Sequence, residues 1–167
     1  MKKEENIFLN LGCGLDVKLG WKNYDIQPIN EHVEYINLNE LPLQFEDEYA
    51  DEIMLDNVLE HLTVNPHDFL KEIHRILKPQ GIVTIKVPAY KNIITHNRWF
   101  FDYKWLNPIL ETPLREPKEV YREERKLYEV VSWQDSTLKR WLHIILPPLF
   151  FLLFHGCGEI TWKLKKI

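Results

Sequence analysis

Residues 7–14, I-F-L-N-L-G-C-G, decide the fold: an apolar run from Ile7 to Leu11 stops at Gly12 and Gly14, two glycines one residue apart. A buried strand that ends in Gly-x-Gly can turn sharply with positive φ. It also leaves no side chain between the main chain and a ligand, so a nucleotide can lie directly on it. A Gly-x-Gly turn on its own is equally an ordinary tight connection. Asp25 favours the ligand reading. It ends a second strand-like run, W-K-N-Y-D-I at residues 21–26, where its carboxylate can share a sheet edge with Gly12 and Gly14 and accept from both hydroxyls of a ribose.

Working outward, the first half alternates apolar strands with short connections: Ile7–Leu11, Trp21–Ile26, Val33–Ile36, Ala50–Asp56 and Gly81–Val87. Asn65-Pro66 opens the clearest helix, with Asn65 as N-cap and Pro66 at the first helical position. Its apolar face carries Phe69, Leu70, Ile73, Ile76 and Leu77, and Lys78-Pro79-Gln80-Gly81 ends it ahead of the β-branched run Ile82, Val83, Ile85, Val87. Strand, helix and strand in that order imply a parallel pair with a right-handed crossover. The expected fold is therefore α/β, with ligands at the carboxyl ends of the strands.

Beyond Ala89 the pattern changes. Residues 96–105, H-N-R-W-F-F-D-Y-K-W, are densely aromatic, and residues 111–126 alternate Glu with Arg and Lys, the pattern of a solvated face or loop. Residues 126–133 and 159–167 alternate as strands. We expect one domain over residues 1–167, with a ligand-binding half at 1–90 and a lid or acceptor region with C-terminal strands at 91–167.

Composition narrows the partners. With 167 residues, 45% hydrophobic and 28% charged, the chain has room for one sizeable core and is not disordered. A net charge of -4 gives no general attraction to nucleic acid, which is disfavoured as a partner despite Lys163, Lys165 and Lys166. The two cysteines, Cys13 and Cys157, form no disulfide framework, and Met1–Asn6 lacks a signal peptide's apolar core, so a cytoplasmic location is expected. No tight ligand spacing among the aspartates and histidines suggests a metal.

With the glycine turn, the acidic strand end and the segment E-Y-A-D-E-I-M-L-D-N-V-L-E-H-L at residues 48–62 in hand, the chain resembles the class I S-adenosylmethionine-dependent methyltransferases, in particular a small group with L-E-H-L after the fourth strand. The resemblance spans about Ile7 to Pro88. It implies a doubly wound, mostly parallel sheet of the Rossmann-like methyltransferase fold and S-adenosylmethionine as cofactor. It places Gly12, Cys13 and Gly14 at the methionine part, Asp25 at the ribose, Asn37 and Leu38 at the adenine, and Asp56 and Asn57 along the methyl-transfer site. Glu60 and His61 fall in the L-E-H-L signature.

Three features depart from the family pattern. Ten residues separate Gly14 from Asp25, too few for a full helix, so the first crossover is shortened to a loop or a single turn. Asn37 stands where aspartate is common, which removes charge assistance at the adenine. The chain begins almost at the first strand, so the lid is expected from residues 91–128 or from a second subunit in a homodimer.

Methyl transfer from a sulfonium is an in-line displacement served by positioning and exclusion of water, and a general base assists when the acceptor is a hydroxyl. His61 is a candidate base by its ordinary pKa, against the alternative that it bridges neighbouring elements; His96 is a second candidate, in an aromatic stretch that either walls the acceptor pocket or forms a satellite core. The apolar run W-L-H-I-I-L-P-P-L-F-F-L-L-F at 141–154 is too short to span a bilayer and is broken by Pro147-Pro148. It is either buried in a core or dimer contact, or it is an interfacial hairpin that touches a membrane or a lipid-linked substrate.

The sequence thus reads as a methyltransferase acting on an oxygen or nitrogen of a small or lipid-linked metabolite. The alternative is a cofactor-binding but catalytically inactive partner subunit. DNA adenine methylation is disfavoured, since D-N-V-L at 56–59 replaces an Asn- or Asp-Pro-Pro-aromatic motif. A nicotinamide-dependent dehydrogenase is disfavoured too, because Val17 stands where the third glycine would be and Asp25 follows too early.

Overall fold

The computed structural model describes residues 6–88, 127–135 and 159–167. Strands β1 (Phe8–Leu11), β2 (Lys22–Asp25), β3 (Val33–Tyr35), β4 (Ala50–Asp56), β5 (Leu77–Pro88), β6 (Tyr128–Asp135) and β7 (Glu159–Lys166) form one sheet in the order β3-β2-β1-β4-β5-β7-β6. The pairs from β3 to β5 are parallel, whereas β7 runs antiparallel to both β5 and β6. Helix α1 (Pro66–Ile76) links β4 to β5, behind a single 3-10 turn at Leu59–His61.

Register divides the sheet into two faces. The row Leu9–Ile53–Val83–Leu164 runs across four strands and the row Leu55–Ile85–Trp162 across three, and both are fully buried, as is Leu11 at the end of β1. They share one core with Phe69, Leu70, Ile73 and Ile76, the expected apolar stripe of α1. Asn65 caps this helix as expected, its side chain accepting from the N–H of His67. Arg75 ties α1 to the loop before β4, with a two-pronged contact to Glu72 at 2.6 and 3.0 Å and one to Asp47 at 2.6 Å.

The connection from β1 to β2 runs through turns without a helix over residues 12–21. Parallel neighbours are ordinarily joined through a helix that satisfies its own backbone. Two buried asparagines do that work instead. Asn10 and Asn23 face each other across β1 and β2, and the Asn10 amide donates to Asn23 Oδ1 (2.9 Å) and to the carbonyl of Asp16 (2.8 Å). Asn23 Oδ1 also accepts from the N–H of Lys18, and its amide nitrogen donates to the carbonyls of Lys18 and Trp21. Trp21 then stacks obliquely on Phe8, their ring centroids 5.3 Å apart.

Most strand ends shift by one or two residues from the sequence reading, and two starts move for a visible reason. Strand β5 begins at Leu77 rather than Gly81, because Leu77 pairs with Ala50 through a register irregularity and Lys78 reaches Asp51 at 2.8 Å. Strand β6 begins at Tyr128, two residues later than the alternation suggests, and Tyr128 turns onto the covered face.

There the fully buried Tyr128 hydroxyl donates to the carbonyl of Leu70 at 2.8 Å, fastening β6 to α1. Tyr128→Phe is expected to lower unfolding stability by about 1 kcal/mol in a urea titration without changing the folded spectrum. An unchanged midpoint would mean that this bond does not hold the two elements together.

Candidate functional site

The carboxyl ends of β1, β2 and β4 converge on the glycine turn. Gly12 and Gly14 both have positive φ, 68° and 49°. The N–H groups of Gly12 and Cys13 both donate to the carbonyl of Tyr24, at 2.8 and 3.0 Å, which folds the end of β1 over β2. A Cβ on Gly12 would lie 2.7 Å from Val58 Cγ2 and 3.6 Å from Leu38 Cδ1. The turn is therefore wedged between the segments that follow β3 and β4. A Cβ on Gly14 would meet nothing within 4 Å, so the space above that glycine is open.

Asp25 lies beside this opening. Its Oδ2 accepts from the N–H of Gly14 at 2.8 Å and its Oδ1 from the N–H of Gln27 at 2.9 Å. Each oxygen keeps a lone pair, so the carboxylate is fixed in plane while still able to accept from a ligand. Cys13 is buried, and burial followed by the charge of Asp25 pushes its thiol up from its ordinary value, so it is not a ready nucleophile.

Asn37 and Leu38 follow β3 on the adjoining wall. Asn37 Oδ1 accepts from the N–H of Asn39 and its amide donates to Glu40 at 2.7 Å, while Leu38 is buried behind the glycine turn. On the far wall, Asp56 accepts from the Asn57 side chain at 2.7 Å and faces Lys86 at 3.4 Å. Asn57 has φ 53°, and its N–H donates to the carbonyl of Lys86. Asn39 Oδ1 joins the two walls by accepting both the N–H and the hydroxyl of Thr63.

His61 is about half exposed, with Nε2 4.0 Å from Glu60 Oε1. His96, the aromatic stretch around it, the expected lid at 91–128 up to residue 126, and the apolar run 141–154 lie outside the described residues. Glu60, which the sequence reading left as part of a signature, lies in the 3-10 turn after β4. It is 1% exposed, and its Oε2 is buried without a hydrogen-bond partner among the described residues. Burial pushes its carboxyl up to about 7; its own backbone opposes the rise and the charge of Asp56 adds to it. The signal was a lone carboxylate inside the apolar run V-L-E-H-L.

Solved structures share this architecture. The chain aligns over 96% of its length with 86% of a SAM dependent methyltransferase from Archaeoglobus fulgidus, at 15% identity and a TM-score of 0.60. It aligns equally far with 70% of the 1,6-didemethyltoxoflavin-N1-methyltransferase of Burkholderia thailandensis, solved with 1,6-didemethyltoxoflavin and S-adenosylhomocysteine, at 17% identity and 0.57. A Haloferax volcanii complex between the Trm112 methyltransferase activator and a putative methyltransferase matches over 96% of this chain and 82% of that one, at 15% identity and 0.57. No curated protein matches the chain in sequence. The sheet order and the edge that gathers the glycine turn define a Rossmann-like methyltransferase fold. Residues 9–85 match the family described as a methyltransferase domain.

Two substitutions separate fit from backbone strain at the turn. Gly12→Ala adds a 2.7 Å clash to a positive φ and is expected to cost roughly 2 to 4 kcal/mol, whereas Gly14→Ala, with open space, costs about 1 to 2. Equal losses in urea unfolding would show that Val58 moves aside freely.

Glu60 sets a pH dependence. Because its folded value lies above the ordinary 4.5, its favourable contribution is complete below about 4.5 and is lost as pH rises through about 7. Glu60→Gln should therefore match the wild type near pH 4 and exceed its stability by up to about 3 kcal/mol near pH 8. Parallel stability curves for the two proteins would show that the carboxyl is solvated.

Proposed function

We propose that the chain binds S-adenosylmethionine across Gly12, Cys13 and Gly14 and transfers its methyl group to an oxygen or nitrogen of a small or lipid-linked metabolite. The observation that carries this reading is the open space above Gly14 beside the Asp25 carboxylate, whose orientation is fixed by the N–H groups of Gly14 and Gln27. Asp25 accepts the ribose hydroxyls with its remaining lone pairs. Asn37 and the backbone at Leu38 receive the adenine, and Asp56 and Asn57 line the position where the acceptor approaches. The bound cofactor supplies an electrophilic methyl on a positively charged sulfur. The chain's part is to align the acceptor and exclude water, which can account for much of the acceleration.

The Burkholderia thailandensis enzyme is named as an N1-methyltransferase, which supports nitrogen as one acceptor class here. The second reading, a cofactor-binding but catalytically inactive partner subunit, draws support from the Haloferax volcanii complex, in which a putative methyltransferase is held with a second protein. Turnover by the purified chain alone selects the first reading, and turnover only with added cell protein selects the second. Among the described residues no helix is long and apolar enough to cross a membrane. A lipid-linked acceptor would be met by peripheral contact, which flotation with anionic vesicles tests.

Calorimetric titration is expected to show micromolar binding of both S-adenosylmethionine and S-adenosylhomocysteine, and Asp25→Ala is expected to weaken both by about 10- to 100-fold. Full affinity in that variant would place the ribose elsewhere.

A further inference from the structure

The cofactor-binding reading leaves Glu60 without a task, although its placement is costly. Its neighbours Val58, Leu59 and Leu62 are buried and apolar, and Oε2 has no hydrogen-bond partner among the described residues. A glutamine or an aliphatic side chain would fill this place without the penalty of an ionisable group in an apolar setting. Groups held under such a penalty concentrate where they do chemistry.

The turn that carries Glu60 is anchored on both walls of the site. Two residues earlier, Val58 presses on Gly12; three residues earlier, the Asn57 N–H is bonded to the carbonyl of Lys86; three residues later, Thr63 is bonded to Asn39. A carboxyl held this way has little freedom to reorient, which is what a proton acceptor at a reacting centre requires. The charged and titratable groups around it are Asp56 at the end of β4, paired with Lys86 on β5 at 3.4 Å, and His61, whose Nε2 stands 4.0 Å from Oε1.

We infer that Glu60 is the general base of the methyl-transfer step, receiving on Oε2 the proton of the acceptor's hydroxyl or amine. This rests on the methyltransferase reading above. The acceptor's lone pair forms the new bond to the methyl carbon, the carbon–sulfur bond gives its electron pair to sulfur, and the acceptor's proton passes to the Glu60 carboxylate. No further reactant is needed.

The assignment has an electrostatic consequence that can be measured without knowing the acceptor. The methyl donor bears a positive sulfonium and the demethylated product does not. An ionised Glu60 at the reacting centre attracts the first and is indifferent to the second. Because the carboxyl sits near half-ionisation at neutral pH, S-adenosylmethionine should release a proton from it on binding, and S-adenosylhomocysteine should not.

Calorimetry of the full chain with each ligand at about pH 6 and about pH 8, in two buffers of different ionisation enthalpy, tests this. Expected are a roughly five- to tenfold tighter affinity for S-adenosylmethionine at the higher pH with proton release at the lower, and no such change for S-adenosylhomocysteine. Glu60→Gln should abolish the difference and His61→Ala should keep it. A dependence that persists in Glu60→Gln, or that is the same for both ligands, overturns the assignment. Binding of neither ligand overturns the methyltransferase reading and this inference with it, whereas pH-independent binding of both overturns the inference alone. If Glu60→Gln does not fold, infrared difference spectra of wild-type protein labelled with carbon-13 glutamate replace it: loss of a protonated glutamic acid band with S-adenosylmethionine only supports the base, and no loss rejects it.

Discussion

The buried amide pair of Asn10 and Asn23 is the contact on which the front of this structure depends. A parallel β1–β2 connection of only ten residues leaves loop carbonyls and N–H groups with no helical partners. The pair supplies them: Asp16, Lys18 and Trp21 are all bonded to one or other side chain. Buried and paired in register, the two amides satisfy each other and the loop together, and breaking either would leave polar groups stranded in the sheet. They also set where the loop crosses. Asp25 lies two residues past Asn23 on the same side of β2, which brings its carboxylate to the N–H of Gly14.

From that constraint follows a site with one rigid and one open side. Gly12 is wedged against Val58 and Leu38, and the Tyr24 carbonyl holds two successive N–H groups of the turn. Gly14 faces free space. The same rigidity extends through the turn after β4, where Asn57, Val58 and Thr63 are each attached to a different element. Glu60 is carried inside that clamped turn, and its charged form is disfavoured by burial. The fold thus places its most heavily desolvated site carboxyl next to its best-anchored wall, an arrangement that trades stability at neutral pH for a group able to exchange a proton.

Much of this was legible in the chain itself because the signals are local. The Ile7–Leu11 run with its two glycines, the Asn65-Pro66 start and the β-branched run to Val87 each specify backbone conformation within a few residues, and each element stands where its pattern indicates. The pairing of Asp25 with the glycine turn was also readable, since both sit at strand ends that a parallel sheet aligns on one edge. What sequence alone could not reveal depended on contacts distant in the chain. Asn10 reads as a polar interruption of a strand until Asn23 is seen opposite it. Leu77 reads as the end of a helix until Ala50 pairs with it, and Glu60 reads as one letter of a signature until the packing around it excludes water. The sequence by itself determined the elements, their order and the edge where Asp25 meets the glycine turn, because these follow from short-range sterics and periodicity; tertiary structure alone decided which polar side chains are buried, and so which carboxyl is held near neutrality, because desolvation belongs to the assembled core and not to any stretch of chain.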